Sequence, residues 1–169
     1  RGGTEDGVNS EGDAVKTRTY RDPWSGLECV LEMTQFQDSS AVEWVVRFRN
    51  TGAADTPIIS DMQAMDIGRA CPEKTPVRLH YSKGTSGAID DFALMCSDVN
   101  RSGSFAMESY GSRAFLPFFN VEMGGEGVIG GIGWTGRWRV TFTRAEDGSV
   151  RMRAGLTRTH FRLHAGEEL

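Results

Sequence analysis

The sequence predicts an all-β fold, an antiparallel sandwich built from many short strands. No window of about a dozen residues carries the 3.6-residue periodicity of an amphipathic helix. Runs in which apolar and polar residues alternate recur instead, separated by turn-forming pieces, and 21 of the 169 residues are glycine. The length fits one domain, large enough to bury a hydrophobic core without disulfides or metal.

The alternating runs give the strands in chain order. They are AVKTRTY (14–20), LECVLEMTQF (27–36), AVEWVVRFRN (41–50), PIISDMQAMDI (57–67), PVRLHYS (76–82), FLPFFNVEM (115–123), GVIGGIGW (127–134), RWRVTFTR (137–144), SVRMRAGL (149–156) and THFRLHA (159–165). In the third run Trp44 falls on the apolar face, which predicts a core residue. Residues 83–112, rich in Gly, Ser, Asp and Asn, are predicted to form an extended loop. Residues 1–16 are predicted to be a flexible leader, and residues 17–169 the β-sandwich domain.

Two tryptophans lie four residues apart around the dipeptide Thr135-Gly136. A short turn-forming dipeptide between two alternating runs predicts a tight hairpin. In that register Trp138 lies on a core face opposite glycines that leave space for its ring, so we predict a structural role. Trp134 lies on the other face, beside Arg137 and Arg139.

Trp134, Arg137 and Arg139 are therefore candidates for contact with a carbohydrate or a partner, because an aromatic ring can stack on a sugar or on a guanidinium. Trp24, on the predicted turn DPWSG, is a further exposed aromatic candidate. The alternatives are structural. Trp134 could cover its sheet beneath arginine stems or be buried against another domain, and Trp24 could cap the sandwich edge. A register slip by one residue would exchange the faces of Trp134 and Trp138.

Carboxylates that could supply the acid/base pair of glycoside hydrolysis are abundant, but their spacing identifies no pair. They are Asp61, Asp66, Asp90, Asp91, Asp98, Glu122 and Glu126. Adjacent Asp90 and Asp91 are predicted to make turn or cap hydrogen bonds, with a calcium site as the alternative. A sugar-mutarotating enzyme would need His80, His160 or His164 beside a carboxylate such as Glu122, and nothing in the sequence brings them together.

Composition excludes several classes of protein. The formal net charge of −4 argues against a general nucleic-acid binder, and no apolar run approaches the roughly 20 residues of a membrane span. The cysteines, Cys29, Cys71 and Cys96, have no metal-ligand spacing, so we predict no zinc, other metal or cofactor. Each is predicted to be a small core residue, with one disulfide as the alternative. No signal segment is evident, so the compartment is unknown.

Several spaced motifs, in order, resemble the amino-terminal domain of α-galactosidase-like proteins of glycoside hydrolase family 36. They are DPWSGLECVLEMTQFQDSSAVEWVVRFRNTGAADTPIISDMQAMDI, LHYSKGTSGAIDDF, SRAFLPFFNVEMGGEGVIGGIGWTGRW and LTRTHFRLHAGEEL. The resemblance runs from about Thr17 to the end. It implies an antiparallel β-supersandwich, similar to the galactose-mutarotase-like folds, which in the family precedes a (β/α)8 barrel.

The resemblance also implies where the chemistry lies. In the family the barrel supplies an aspartate nucleophile in a Lys-x-Asp motif and a second aspartate as acid/base. The lysines here, Lys16, Lys74 and Lys83, are followed two residues on by Arg, Pro and Thr, so no catalytic residue can be carried onto this chain. The implied function is a non-catalytic domain that supports its own barrel, possible further partners being a galactoside and a second copy. The alternative is a stand-alone carbohydrate-binding module.

Overall fold

The structure is a computed structural model that describes residues 2–100 and 102–169. Within these ranges it contains strands and no helix, and every strand pair is antiparallel. The strands are β1 Gly2–Val8, β2 Ala14–Arg21, β3 Leu27–Gln35, β4 Val42–Asn50, β5 Ile59–Ser60, β6 Gln63–Arg69, β7 Val77–Lys83, β8 Leu94–Asp98, β9 Ser104–Tyr110, β10 Phe115–Met123, β11 Glu126–Gly131, β12 Arg137–Arg144, β13 Val150–Leu156 and β14 His160–Phe161. The predicted all-β fold is confirmed.

The chain divides into two compact units. Unit 1 comprises the residues up to Ser60 together with His160–Leu169, and unit 2 comprises Asp61–Thr159. The division falls inside the predicted strand 57–67. Asp61 has a φ of 51°, in the left-handed region, and this bend separates β5 from β6.

Unit 1 contains a four-stranded sheet in the order β1-β2-β3-β4 and a short pair formed by β5 and β14. Strand β1 lies within the segment predicted as a flexible leader, and it pairs with β2 along its whole length, from Gly2 opposite Tyr20 to Val8 opposite Ala14. The domain boundary at residue 17 stays a prediction. Trp44 on β4, predicted to be a core residue, is only partly buried.

A buried carboxylate marks one face of this sheet. The side chain of Glu28 is fully buried, and it forms ion pairs with Arg21 and Arg49 from the two neighbouring strands. Burial alone would raise the pKa of this carboxyl, but hydrogen bonds from the two guanidinium groups outweigh burial and lower it. Glu28 is therefore a buried, charged residue that links β3 to both of its neighbouring strands through ion pairs.

Unit 2 is a sandwich of two four-stranded sheets, β11-β10-β7-β8 and β6-β13-β12-β9. Its core is formed by alternate residues of both sheets together with Cys71 and Val99 from the connections. The strand residues are Val77, Leu79, Met107, Phe119, Val121, Met123, Trp138, Val140, Phe142, Val150, Met152 and Ala154. Phe119 and Phe142 meet edge to face across the two sheets, with ring centroids 4.9 Å apart. Period-2 alternation thus places one face of each sheet inside.

The structural role predicted for Trp138 is confirmed. Its side chain is 1% exposed, and its Nε1–H donates a hydrogen bond of 2.7 Å to the carbonyl oxygen of Gly111. The indole therefore fills the core and satisfies its polar group at the same time, as buried tryptophans do.

Two features differ from the sequence expectations. The hairpin at Thr135-Gly136 is wrong, because β11 pairs with β10 while β12 pairs with β9 and β13 in the other sheet. Residues 132–136 instead connect the two layers of the sandwich. The loop predicted for residues 83–112 is also wrong in part, since it contains β8 and β9. Inward-facing Met107 and Ser109 of β9 alternate with exposed residues, but the surrounding Gly and Ser hide this pattern.

The cysteines are all free and differ in environment. Cys71 lies in the core of unit 2, as predicted, and Cys29 is partly buried in unit 1. Cys96 is exposed on β8, so the prediction that each cysteine is a core residue is wrong at this position. Strand β8 is an edge strand with one face in solvent, which is where Cys96 lies.

Candidate functional site

Trp134 lies in the connection between the two sheets of unit 2. Its ring packs over Gly136, where any Cβ would collide with the indole. The N–H of Gly111 donates to the carbonyl oxygen of Gly136 at 2.8 Å, and Trp138 donates to the carbonyl of the same Gly111. The connection is thereby tied to the turn after β9, and Trp134 is 47% exposed at its surface.

Arg137 and Arg139 lie at the start of β12 on the outer face of its sheet, and both are exposed. Their register partners on β9 are Tyr110 and Glu108. No stacking contact between Trp134 and either arginine is found in residues 2–100 and 102–169. The structure therefore places the two arginines in a sheet and Trp134 in a connection beside it, rather than in the common strand face that the hairpin register predicts.

Trp24 belongs to unit 1, in the turn between β2 and β3. The carboxylate of Asp22 accepts hydrogen bonds from the backbone N–H groups of Trp24, at 3.3 Å, and Ser25, at 3.1 Å. The Ser25 hydroxyl also donates to this carboxylate and is the main reason that the pKa of Asp22 is lowered. The turn is thus well defined, while the indole is 93% exposed and does not cover the sheet edge.

Several candidate carboxylates are held by basic or backbone groups. Arg151 makes a bidentate pair with Asp66, at 2.6 Å for each oxygen, and its hydrogen bonds lower the pKa of that carboxyl. A hydrogen bond from Lys83 lowers the pKa of Asp90. Asp91 accepts hydrogen bonds within its own loop, chiefly from a backbone N–H, and its pKa is lowered as well. The turn hydrogen bonds predicted for Asp91 are confirmed.

These directions are opposite to what a catalytic acid requires. The proton donor of a glycosidase is a carboxyl whose pKa has been raised by an apolar pocket or by a like charge. For every aspartate and glutamate in the described ranges whose pKa is displaced, the displacement is downward. None of these displaced carboxyl groups therefore has the raised pKa of a proton donor.

One juxtaposition was missed by the sequence analysis. His80 on β7 and Glu122 on β10 lie on the outer face of one sheet, with His80 Nε2 2.8 Å from Glu122 Oε2. Arg78 Nη1 lies 4.0 Å from the other carboxylate oxygen. Strands β7 and β10 are far apart in sequence, so only their pairing reveals the cluster. The available signal was a pair of alternate polar residues on each strand, Arg78 and His80 on β7 and Asn120 and Glu122 on β10.

The other two histidines belong to unit 1. His164 Nδ1 lies 2.8 Å from Asp55 Oδ1, and the hydrogen bond with that carboxylate raises the pKa of His164. His160, on β14, is exposed. The histidines thus occupy three separate settings, and only His80 has a carboxylate partner within unit 2.

Two further observations concern the part of the chain that the structure describes. No group of three or more His, Cys, Asp or Glu side chains is arranged to hold a metal ion. None of its elements is a helix long and apolar enough to cross a membrane.

Comparison with known proteins gives matches among solved structures alone. No protein-family model and no curated protein matches the chain. The family 36 α-galactosidase AgaA from Geobacillus stearothermophilus matches with a TM-score of 0.79 and 16% identity, over 100% of this chain and 26% of its own. An α-galactosidase from Lactobacillus brevis matches with a TM-score of 0.78 and 11% identity, over 98% of this chain and 23% of its own.

A third match is the galactosidase domain of an α-galactosidase–sucrose kinase, with a TM-score of 0.78 and 14% identity. It covers 100% of this chain and 26% of that protein, so the chain spans about a quarter of the length of the structures that it matches. At these identities the similarity shows the fold. It confirms at that level the resemblance found in the sequence motifs, and the chain has the fold of one part of the α-galactosidases of glycoside hydrolase family 36.

Proposed function

We propose that this chain is a non-catalytic amino-terminal domain of an α-galactosidase-like glycoside hydrolase. The hydrolysis of α-galactosides, with retention of configuration, is assigned to a (β/α)8 barrel outside residues 1–169, and the domain supports that barrel. The observation that carries the proposal is the match of the whole chain to about a quarter of several α-galactosidases. Structures of AgaA variants with stachyose and with raffinose indicate the substrate class of that relative.

The carboxylates of the chain support a non-catalytic role. A retaining glycosidase needs two carboxyl groups about 5 Å apart that flank one sugar, one of them with a raised pKa. Asp66, Asp90 and Glu122 are instead each held by a basic side chain on a sheet or loop surface. A sugar bound there would meet a carboxylate already held by a basic side chain rather than a free acid and a nucleophile.

An activity assay of the chain tests the catalytic half of the proposal. We expect no hydrolysis of an aryl α-galactoside above the buffer rate. An ordinary enzyme turns over about 10 times per second, and the enzyme concentration is chosen so that a millionth of that rate would be detected. Hydrolysis that is abolished by Asp66→Asn or Glu122→Gln would contradict the proposal, because it would place the reacting groups in this domain.

A deletion in the parent protein tests the supporting role. Removing the segment equivalent to residues 17–169 should reduce the soluble, active barrel, since the barrel face that this domain covers would become exposed. A barrel that keeps its full activity and thermal midpoint without the domain would refute the supporting role.

The alternative is a carbohydrate-binding module that acts on its own. The exposed rings of Trp24 and Trp134 favour it, but the two rings lie in different units, so they do not form one binding surface within either unit. A sugar titration that shifts the fluorescence of either tryptophan, and is abolished by its replacement with alanine, would support this alternative.

A further inference from the structure

The outer face of β10 in unit 2 carries a row of side chains of the kinds that bind ligands. On β10 the residues Phe119, Val121 and Met123 face the core, so the residues between them face outward. Phe118 and Asn120 thus share the outer face with Glu122. Alternate strand residues lie about 7 Å apart, a spacing close to the width of one sugar ring.

The neighbouring edge strand β11 covers this row at one position only. Its outward residues opposite the row are Gly127, Ile129 and Gly131. The two glycines have no side chains to fill the space, and Ile129, opposite Asn120, carries a side chain that is 81% exposed. The ring of Phe118 lies over Gly131, where an added Cβ would be 3.2 Å from it, and the amide oxygen of Asn120 lies over Gly127, 2.9 Å from such a Cβ. We name this depression the β10 trough, formed by Phe118, Asn120 and Glu122 with the backbone of Gly127 and Gly131.

The polar end of the trough is an open surface depression of about 460 Å³, lined by His80, Asn120, Glu122, Gly125, Glu126 and Gly127. The Oδ1 atom of Asn120 is buried and has no hydrogen-bond partner among residues 2–100 and 102–169. A buried amide oxygen without a donor is uncommon and costly. Because the last torsion of an asparagine side chain is broad, a small rotation turns either amide atom toward a ligand.

The charges at the trough select against an ionic ligand. Glu122 is paired with His80, and Glu126 is paired with Arg69 at 2.9 Å. No cluster of free cations is present there for a phosphate, and no free carboxylate pair for a metal ion, within the part of the chain that is described. The site therefore fits a neutral molecule with several hydroxyl groups and one apolar face.

We propose that the β10 trough binds a pyranose sugar, with its apolar ring face on Phe118 and its hydroxyl groups on Asn120 and the His80–Glu122 pair. Carboxylate oxygens accept hydrogen bonds from hydroxyl groups, while the asparagine amide and the imidazole can each donate as well as accept. An aromatic surface beside a few fixed polar groups is the usual composition of a small-ligand site. This inference goes beyond the proposed function and requires no hydrolysis.

The test is a titration of the chain with methyl α-D-galactopyranoside, followed by amide chemical shifts. A neutral ligand of this size on an open surface should bind with a Kd of about 1–10 mM. We expect saturable shifts in residues 78–82, 118–122 and 126–131. Phe118→Ala and Asn120→Ala should each weaken binding about tenfold or more, and D-sorbitol, which has hydroxyl groups but no ring, should not saturate.

Two control variants carry the same kind of change elsewhere in unit 2. Leu94→Ala removes an exposed apolar side chain, 90% accessible, from the outer face of the same sheet, and Trp134→Ala removes the other exposed ring. Both should leave the Kd within about twofold, since neither residue belongs to the trough. Phe118 is 61% exposed, so its replacement should also leave the dispersion of the spectrum unchanged.

Three outcomes would overturn the proposal. The first is that no saturable shifts appear up to about 100 mM sugar, well above the expected range. The second is that sorbitol binds as tightly as the glycoside. The third is that binding is lost in Trp134→Ala but kept in Phe118→Ala and Asn120→Ala. None of these outcomes bears on whether the parent protein is a glycosidase, which the activity assay decides separately.

Discussion

Replacing Trp138 with alanine should destabilise unit 2 far more than the same change at Trp134, although the residues lie four positions apart. Trp138 is 1% exposed, and truncating such a ring in a core costs about 3–5 kcal/mol. The carbonyl of Gly111 also loses its donor, which adds about 1 kcal/mol. Trp134 is 47% exposed, so its truncation should cost about 1 kcal/mol.

The assay must report on unit 2 alone, because the two units need not unfold together. Cys71 supplies that report, since its thiol is 7% exposed in the core of unit 2 and reacts with an alkylating reagent only when the unit opens. Labelling of Cys71 is measured against urea by peptide mass spectrometry. With a urea dependence of about 2 kcal/mol per molar, the midpoint should fall by about 2–3 M in Trp138→Ala and by about 0.5 M in Trp134→Ala.

A third variant separates the ring from its hydrogen bond. Trp138→Phe keeps most of the apolar volume but leaves the carbonyl of Gly111 unsatisfied, so a loss of about 1–3 kcal/mol is expected, between the other two. Equal midpoints for Trp134→Ala and Trp138→Ala would refute the reasoning, because they would show that burial does not distinguish the two rings. So would a Trp138→Phe variant as unstable as Trp138→Ala.

Three further predictions follow from the contacts described above. Gly155→Ala should destabilise unit 2 by about 2 kcal/mol or more in urea unfolding, because its Cβ would collide with a backbone carbonyl. Gly68→Ala, on the adjacent strand, has open space around its Cβ and should be tolerated, so equal effects of the two changes would contradict this prediction. The pKa of His164, measured by NMR, should lie above 6.5 and fall toward that value in Asp55→Asn. Because the pKa is higher in the folded state than in the unfolded state, the His164–Asp55 pair stabilises unit 1 below pH 6.5, and this stabilisation is lost as the pH rises through the raised pKa. Glu28→Gln should destabilise unit 1 at neutral pH. Because the folded-state pKa of Glu28 is lowered, the difference in unfolding free energy between the variant and the parent chain should shrink as the pH falls below about 4.5. A difference that stays undiminished at low pH would count against the ion pairs.

Local patterns predicted the strands whose inward residues alternate strictly. On β12 and β13 the buried Trp138, Val140, Phe142, Met152 and Ala154 lie where the period of two places them. The reason is that a strand with one buried face carries its own orientation in its sequence. Strand β9 follows the same rule, but two of its inward residues are Phe105 and Ser109, which differ so much in polarity that the alternation is hard to recognise.

Pairing between strands could not be read in the same way. A glycine-containing dipeptide between two alternating runs fits a hairpin and also fits a crossing from one sheet to another, as happens at residues 132–136. The choice depends on partners that are distant in sequence, because β12 finds β9 and β13 while β11 finds β10. The meeting of His80 and Glu122 has the same origin, since β7 and β10 pair across two intervening strands.

The three glycines of β11 lie on two faces of the strand, one toward the core and one toward the proposed ligand site. Glycine weakens a strand through its conformational entropy and its missing side chain, so three in one short strand need a reason. Gly130 has one inside the core, where any Cβ would collide with the ring of Phe119. Gly127 and Gly131 face the opposite way, where only the exposed row of β10 lies against them. Packing of the core therefore explains Gly130, whereas Gly127 and Gly131 leave room for the side chains of Asn120 and Phe118, the two residues on which the proposed sugar site depends.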